Sequence, residues 1–131
     1  MIFIDSNIPM YLVGSPHPNK ATAERLVEKL ILERQRLVTD SEVLQEILHR
    51  YVAIDRRDAI QPAFDAILGF TDDVFPIDRS TVDRAKQIVL AYRTLSARDA
   101  VHVAIMEING IEQILSFDAG FDVFPRLQRL S

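Results

Sequence analysis

The feature that most constrains this chain is an alternation. Short apolar runs, "MIFID", "RLVTD", "DVFPID" and "EQILSFD", are separated by longer segments with helical spacing. The runs are too short for helices and read as four strands, the first ending at Asp5 and the last at Asp118. After the first strand, "NIPMYLVG" fits one or two helical turns, with Pro9 early and Gly14 closing it. Ala23, Leu26, Val27, Leu30 and Ile31 form a helical stripe over residues 21–34, with Asn19 as its N-cap. Further stripes follow: Val43, Leu44, Ile47, Leu48 and Tyr51, then Val82, Ala85, Ile88, Val89 and Tyr92. "AIQPAFDAILGF" suggests a helix bent or restarted by Pro62. Residues 97–108 are apolar on nearly every side and predict a buried helix, stopped by Asn109-Gly110. "RLQRLS" is a short C-terminal stretch.

Apolar strands alternating with helices imply a short parallel sheet covered on both faces, a three-layer α/β/α sandwich. With 131 residues and no repeat, linker or low-complexity segment, residues 1–131 form a single domain. In such sheets ligands sit at the carboxyl ends of the strands, so the chemistry belongs there.

Composition narrows that chemistry. No cysteine is present, which removes disulfides and Cys-based zinc sites, and His17, His49 and His102 are too scattered for an HExxH pattern. No basic-then-apolar leader and no apolar run near the ~18 residues of a membrane span is visible, so a reducing cytoplasm and no membrane partner are expected. The net charge of −4 argues against a simple basic clamp on nucleic acid. It leaves open a site where bound metal supplies the positive charge.

Acids far apart in sequence converge on one sheet edge. Asp5 and Asp118 end strands, Asp99 lies in the first turn of the buried helix, and Glu46 follows the second strand by about one helical turn. Asp122, four residues beyond Asp118, is placed to join them. Crowded carboxylates repel unless they are protonated or neutralised, and Mg²⁺ or Mn²⁺ prefers an oxygen donor set of this kind. The matching chemistry is metal-assisted phosphodiester hydrolysis.

These pieces, "FIDSN", "VLQEIL", "LSARDAVHVAIM" and "ILSFDAGFD", resemble in order and spacing the PIN-domain ribonucleases, particularly the VapC-type toxins of toxin–antitoxin pairs. The resemblance implies Asp5, Glu46, Asp99 and Asp118 as the catalytic, metal-binding quartet, with Asp122 auxiliary and Ser6 and Asn7 supporting the first aspartate. It also implies an RNA substrate, a cognate antitoxin and a homodimer.

Plainer readings stand beside these. Thr39 and Glu42 have capping-box spacing, as do Ser96 and Asp99, and an acid in a first helical turn is favoured by the helix dipole whatever its job. Asp118 with Gly120, and Asp122, could simply start turns. His102 reads as a packed, hydrogen-bonded histidine, His17 as a loop residue, and Arg50, Arg56 and Arg57 as a solvated face. Ser6 lacks a GxSxG elbow, and Asn7 breaks the DxD pattern of haloacid-dehalogenase-like phosphatases. A receiver-like phosphoacceptor would need a lysine at the carboxyl edge, but Lys20, Lys29 and Lys86 lie in or beside amphipathic helices. A catalytically silent domain that binds RNA or protein is the remaining alternative, and it has no need of four retained acids.

Overall fold

The computed structural model describes residues 1–131. Five parallel strands, β1 (Ile2–Ile4), β2 (Leu37–Asp40), β3 (Asp73–Phe75), β4 (Gln113–Leu115) and β5 (Gln128–Leu130), form one sheet in the order β3-β2-β1-β4-β5. Ile2 pairs with Leu37 on one side and Gln113 on the other, which makes β1 the centre of the sheet. Every residue of β1 and β2 is buried, as expected of strands covered on both faces. The fifth strand corrects the expectation of four: the C-terminal stretch adds an edge beside β4.

Six helices connect the strands: α1 (Asn7–Val13), α2 (Pro18–Leu32), α3 (Ser41–Ala53), α4 (Ile60–Phe70), α5 (Arg79–Ala91) and α6 (Ala97–Ile108). The first two crossovers step from β1 to β2 to β3, and the third jumps back across β1 to β4. With right-handed connections, this reversal puts α1–α4 on one face and α5–α6 on the other. The packing agrees, since α1 lies against α2 and α4, while α5 lies against α6. The strand order thus reverses between β1 and β4, and their carboxyl ends flank the crevice where such sheets bind ligands.

Several local expectations need correction. His17, expected in a loop, is the N-cap of α2: its Nδ1 accepts the Asn19 N–H at 3.0 Å, displacing Asn19 from that role. Asp40, not Thr39, caps α3 by accepting the Val43 N–H at 2.9 Å. Thr39 is sequestered in the sheet, where its hydroxyl donates to the Ile4 carbonyl, so no capping box forms with Glu42. Pro62 lies inside the first turn of α4, where the missing N–H does no harm. The buried stripe of α5 is Thr81, Ala85 and Ile88; Val82 and Tyr92 face solvent, as does Leu48 on α3. The α6 stop is as expected: Gly110 takes φ +66, and the Ile111 N–H returns to the Met106 carbonyl at 2.8 Å.

Candidate active site at the carboxyl edge

Asp5 follows the central strand directly and is 3% exposed. Its Oδ1 accepts the Ser6 N–H at 2.7 Å, and its Oδ2 accepts the Ser116 hydroxyl at 2.6 Å and the Asn7 amide at 3.3 Å. Burial nevertheless raises its pKa, outweighing the lowering by the His102 charge and the Ser116 hydrogen bond. Asn7 also reaches across to β4: its Nδ2 donates to Ser116 Oγ at 3.2 Å and its Oδ1 accepts the Phe117 N–H at 3.4 Å. Ser6 is the N-cap residue of α1 yet makes no side-chain capping bond, because its hydroxyl donates to Glu46 Oε2 at 2.6 Å. Ser6 and Asn7 therefore support the acids.

Asp99 is set by the first turn of α6, where Ser96 Oγ accepts its N–H at 3.1 Å. Burial, the Asp5 charge and a hydrogen bond with Asp118 push its carboxyl up to about 7. Asp118 is fixed by its own loop: its N–H donates to Ser116 Oγ at 3.0 Å, and its Oδ1 accepts the Gly120 N–H at 2.8 Å. The turn with Gly120 thus exists and orients the carboxylate. A Cβ at Gly120 would lie 3.0 Å from Asp118 Oδ1, so any side chain there would disturb the acid.

Glu46 faces inward from α3 and meets the buried imidazole of His102 at Oε1. The other ring nitrogen of His102 lies 2.7 Å from Asp40 Oδ2, and its Nε2 is 4.0 Å from Asp5 Oδ1. Burial would depress the His102 pKa, but the Asp40 charge and the hydrogen bonds to Asp40 and Glu46 raise it well above the usual value. Burial likewise pushes Glu46 up, and the hydrogen bond and charge of His102, with Ser6, bring it below the ordinary range.

The structure therefore gathers Asp5, Glu46, Asp99 and Asp118 at one edge, with Ser6 and Asn7 between them. Asp122 is engaged elsewhere. It is exposed, and its two oxygens take Arg129 Nε at 2.9 Å and Nη2 at 3.1 Å, while Arg129 also donates to the Ser116 carbonyl. Asp122 braces the loop after β4 through that arginine. Glu42 lies 3.9 Å from Arg98, and Arg56 pairs with Asp58 on a solvated face.

Sequence reasoning missed Asp40 and Ser116 and placed His102 only in the core. The signals were modest: Asp40 ends a buried strand as Asp5 does, Ser116 stands two residues before Asp118, and His102 follows Asp99 by one helical turn. The donor set is carboxylate oxygen without thiolate, since both ring nitrogens of His102 are taken by Asp40 and Glu46. Ligand atoms of Asp5, Glu46 and His102 lie within 4.8 Å of one another, and burial with the neighbouring Asp5 and Asp118 raises the Asp99 carboxyl to about 7. Those donors fit a hard divalent cation.

The model of the PIN domain matches residues 2–127. This chain belongs to the PIN-domain family. Over all 131 residues, 100% of both chains, it is 59% identical to ribonuclease VapC13 of Mycobacterium tuberculosis and equally to a VapC ribonuclease of Mycobacterium bovis. Ribonuclease VapC23 of M. tuberculosis is 33% identical over 118 residues, 90% of this chain and 93% of that one. This PIN domain thus falls among the VapC ribonucleases. Among solved structures, the sarcin–ricin-loop-cleaving toxin VapC20 of M. tuberculosis superposes with TM-score 0.78 at 21% identity, covering 94% of each chain. VapBC2 of Rickettsia felis, bound to a promoter DNA fragment, gives 0.74 at 13% identity, covering 99% of this chain and 98% of that one. Both share the fold of this PIN domain, in which no helix is long and apolar enough to cross a membrane.

Proposed function

We propose that this PIN domain is a metal-dependent endoribonuclease that acts as the toxin of a type II toxin–antitoxin pair. The observation that carries the reading is the convergence of Asp5, Asp99 and Asp118 at the switch point of the sheet, with Asp99 raised to about 7 by burial and by those two neighbours. Asp5, Asp99, Asp118 and Glu46 would hold Mg²⁺ or Mn²⁺. A bound cation supplies Lewis acidity toward a phosphate oxygen and lowers the pKa of water in its shell. The residues do the rest. Ser116, Ser6 and Asn7 fix the Asp5 carboxylate, Gly120 and Ser116 fix Asp118, and the pair Asp40–His102 holds Glu46 in its inward rotamer. Asp99, its carboxyl raised to about 7 by burial and by Asp5 and Asp118, would have to be deprotonated to hold such a cation, so binding would be linked to proton release.

Relatives named ribonuclease VapC support the substrate class, and the VapBC2 pair supports an antitoxin partner. A toxin of this class would meet its RNA in the cytoplasm. The half-buried Met10, Tyr11 and Leu12 of α1 and Phe64 of α4 offer apolar surface for an antitoxin segment. Exposed Leu48 and Val52 on α3 leave a face for a homodimer. Such an inhibitor would carry a cationic side chain, most simply arginine, into the acid cluster. The test is co-expression with the adjacent small gene. A tight complex with suppressed RNA cleavage is expected, and alanine in place of the inserted arginine should restore cleavage at unchanged metal concentration. Harmless expression alone, with no neighbour that binds, would overturn the toxin assignment.

A further inference from the structure

Glu46 and Arg50 stand four residues apart on α3, a spacing at which an acid and a base on one helix face ordinarily pair. Here they do not. One Glu46 oxygen is taken by His102 and the other by Ser6, which leaves the exposed Arg50 without a carboxylate partner. Arg98, the residue before Asp99 on α6, reaches Glu42 only at a loose 3.9 Å. Arg50 and Arg98 line one open cleft of about 400 Å³, together with Asn7, Met10, Tyr11 and Glu46. Because Asn7 and Glu46 also belong to the acid cluster, this cleft leads out of the site.

A chain of net charge −4 with buried carboxylates at its catalytic edge repels a polyanion. Two guanidinium groups beside those carboxylates, Arg50 unpaired and Arg98 only loosely paired with Glu42, oppose that repulsion where it matters, and their planar forks match phosphate oxygens. Tyr11, held edge-on to Phe117 with ring centroids 5.3 Å apart, gives the cleft an aromatic wall for a sugar or base. Resting on the ribonuclease reading, we propose that Arg50 and Arg98 form a phosphate-binding subsite. It grips the single-stranded RNA backbone next to the bond being cut, on the α3–α6 side of the acid cluster.

The test is binding of a short fluorescein-labelled single-stranded RNA, followed by anisotropy from about 50 to 200 mM salt. Wild type in EDTA and D5N, neither of which should cut the probe, serve as parents. R50A and R98A should each weaken binding roughly tenfold, as expected for loss of a charge-assisted hydrogen bond. Each should also reduce the log K against log salt slope by about 0.7, the increment for one phosphate contact on a single strand. R50K should keep the slope while losing part of the affinity, because the charge remains and the fork is lost. R126A, before β5 at the opposite edge of the sheet, should leave both quantities unchanged. Arg50 is exposed, and half-buried Arg98 makes only the loose contact with Glu42, so thermal unfolding should barely move. Parent-like affinity and slope in R50A and R98A would overturn the subsite while the nuclease reading stands. Wild type that neither binds the probe in EDTA nor cuts any RNA with Mg²⁺ or Mn²⁺ would overturn both.

Discussion

Ser116 Oγ donates to Asp5 Oδ2 at 2.6 Å, joining residues 111 positions apart at the carboxyl ends of adjacent strands β4 and β1. The same hydroxyl oxygen accepts the Asp118 N–H at 3.0 Å and the Asn7 amide at 3.2 Å. One small buried group thereby sets the positions of two of the acids relative to each other. S116A should take from Asp5 its shortest hydrogen bond and from the Asp118 N–H its acceptor at a fully buried position, at a cost of about 1–3 kcal/mol. Urea denaturation should show a lower midpoint with an unchanged m-value, and cleavage should drop alongside weaker metal binding. Wild-type stability in S116A would mean that the hydroxyl does not organise the edge.

His102 joins two acids from the interior side, Asp40 at Nδ1 and Glu46 at Nε2, and it is fully buried. H102L should destabilise the fold by about 3–5 kcal/mol, because it strands the Asp40 carboxylate without its cation. D40N/H102L should recover part of that loss. The charge then leaves with its partner, and asparagine still caps α3. Additive losses in the double variant, measured by the same denaturation, would show that the two side chains are not coupled.

The metal-free protein should lose stability as pH rises. Asp5 and Asp99 have folded pKa values raised above 3.8, Asp99 to about 7, so the fold favours their protonated forms. Their contribution is complete below the unfolded value and disappears as pH climbs through the folded one. His102, raised above 6.5, acts in the same sense at higher pH, since its pairing is lost only when the imidazolium deprotonates. Glu46, lowered below 4.5, opposes this only on the acid side. In EDTA the melting temperature should therefore fall between about pH 5 and pH 8, and Mn²⁺ or Mg²⁺ should restore it most at the alkaline end. A melting temperature that rises with pH across this window would contradict the crowding of the acids.

Much of this was legible in the sequence, for physical reasons. Runs such as Ile2–Ile4 are buried on both faces, so they carry a continuous apolar signal, and the parallel order they imply sends Asp5 and Asp118 to one edge. Gln128–Leu130 escaped because an edge strand is only half covered and has no such run. The α6 boundaries were readable from Ser96 and Asn109-Gly110, whereas His17 and Asp40 caps were not, since nothing local says that Thr39 will be consumed by the Ile4 carbonyl. Asp40 meets His102 across 62 residues, His102 meets Glu46 across 56 and Ser116 meets Asp5 across 111, relationships no local spacing contains. Asp122 illustrates the converse: proximity in sequence to Asp118 suggested a shared site, and Arg129 from the edge strand claims its carboxylate instead.

The most direct measurement is RNA cleavage by purified wild type and D5N, each with Mg²⁺ or Mn²⁺ and each with excess EDTA. Asn preserves the shape of Asp5 and can keep a hydrogen bond to Ser116, while removing a charge whose burial is unfavourable without metal. D5N should fold with wild-type circular dichroism and unfold no more easily than wild type in EDTA. Its cleavage should fall by orders of magnitude, and EDTA should silence the wild type. Undiminished cleavage by D5N, or full wild-type activity in excess chelator, would contradict a metal-dependent site built on Asp5.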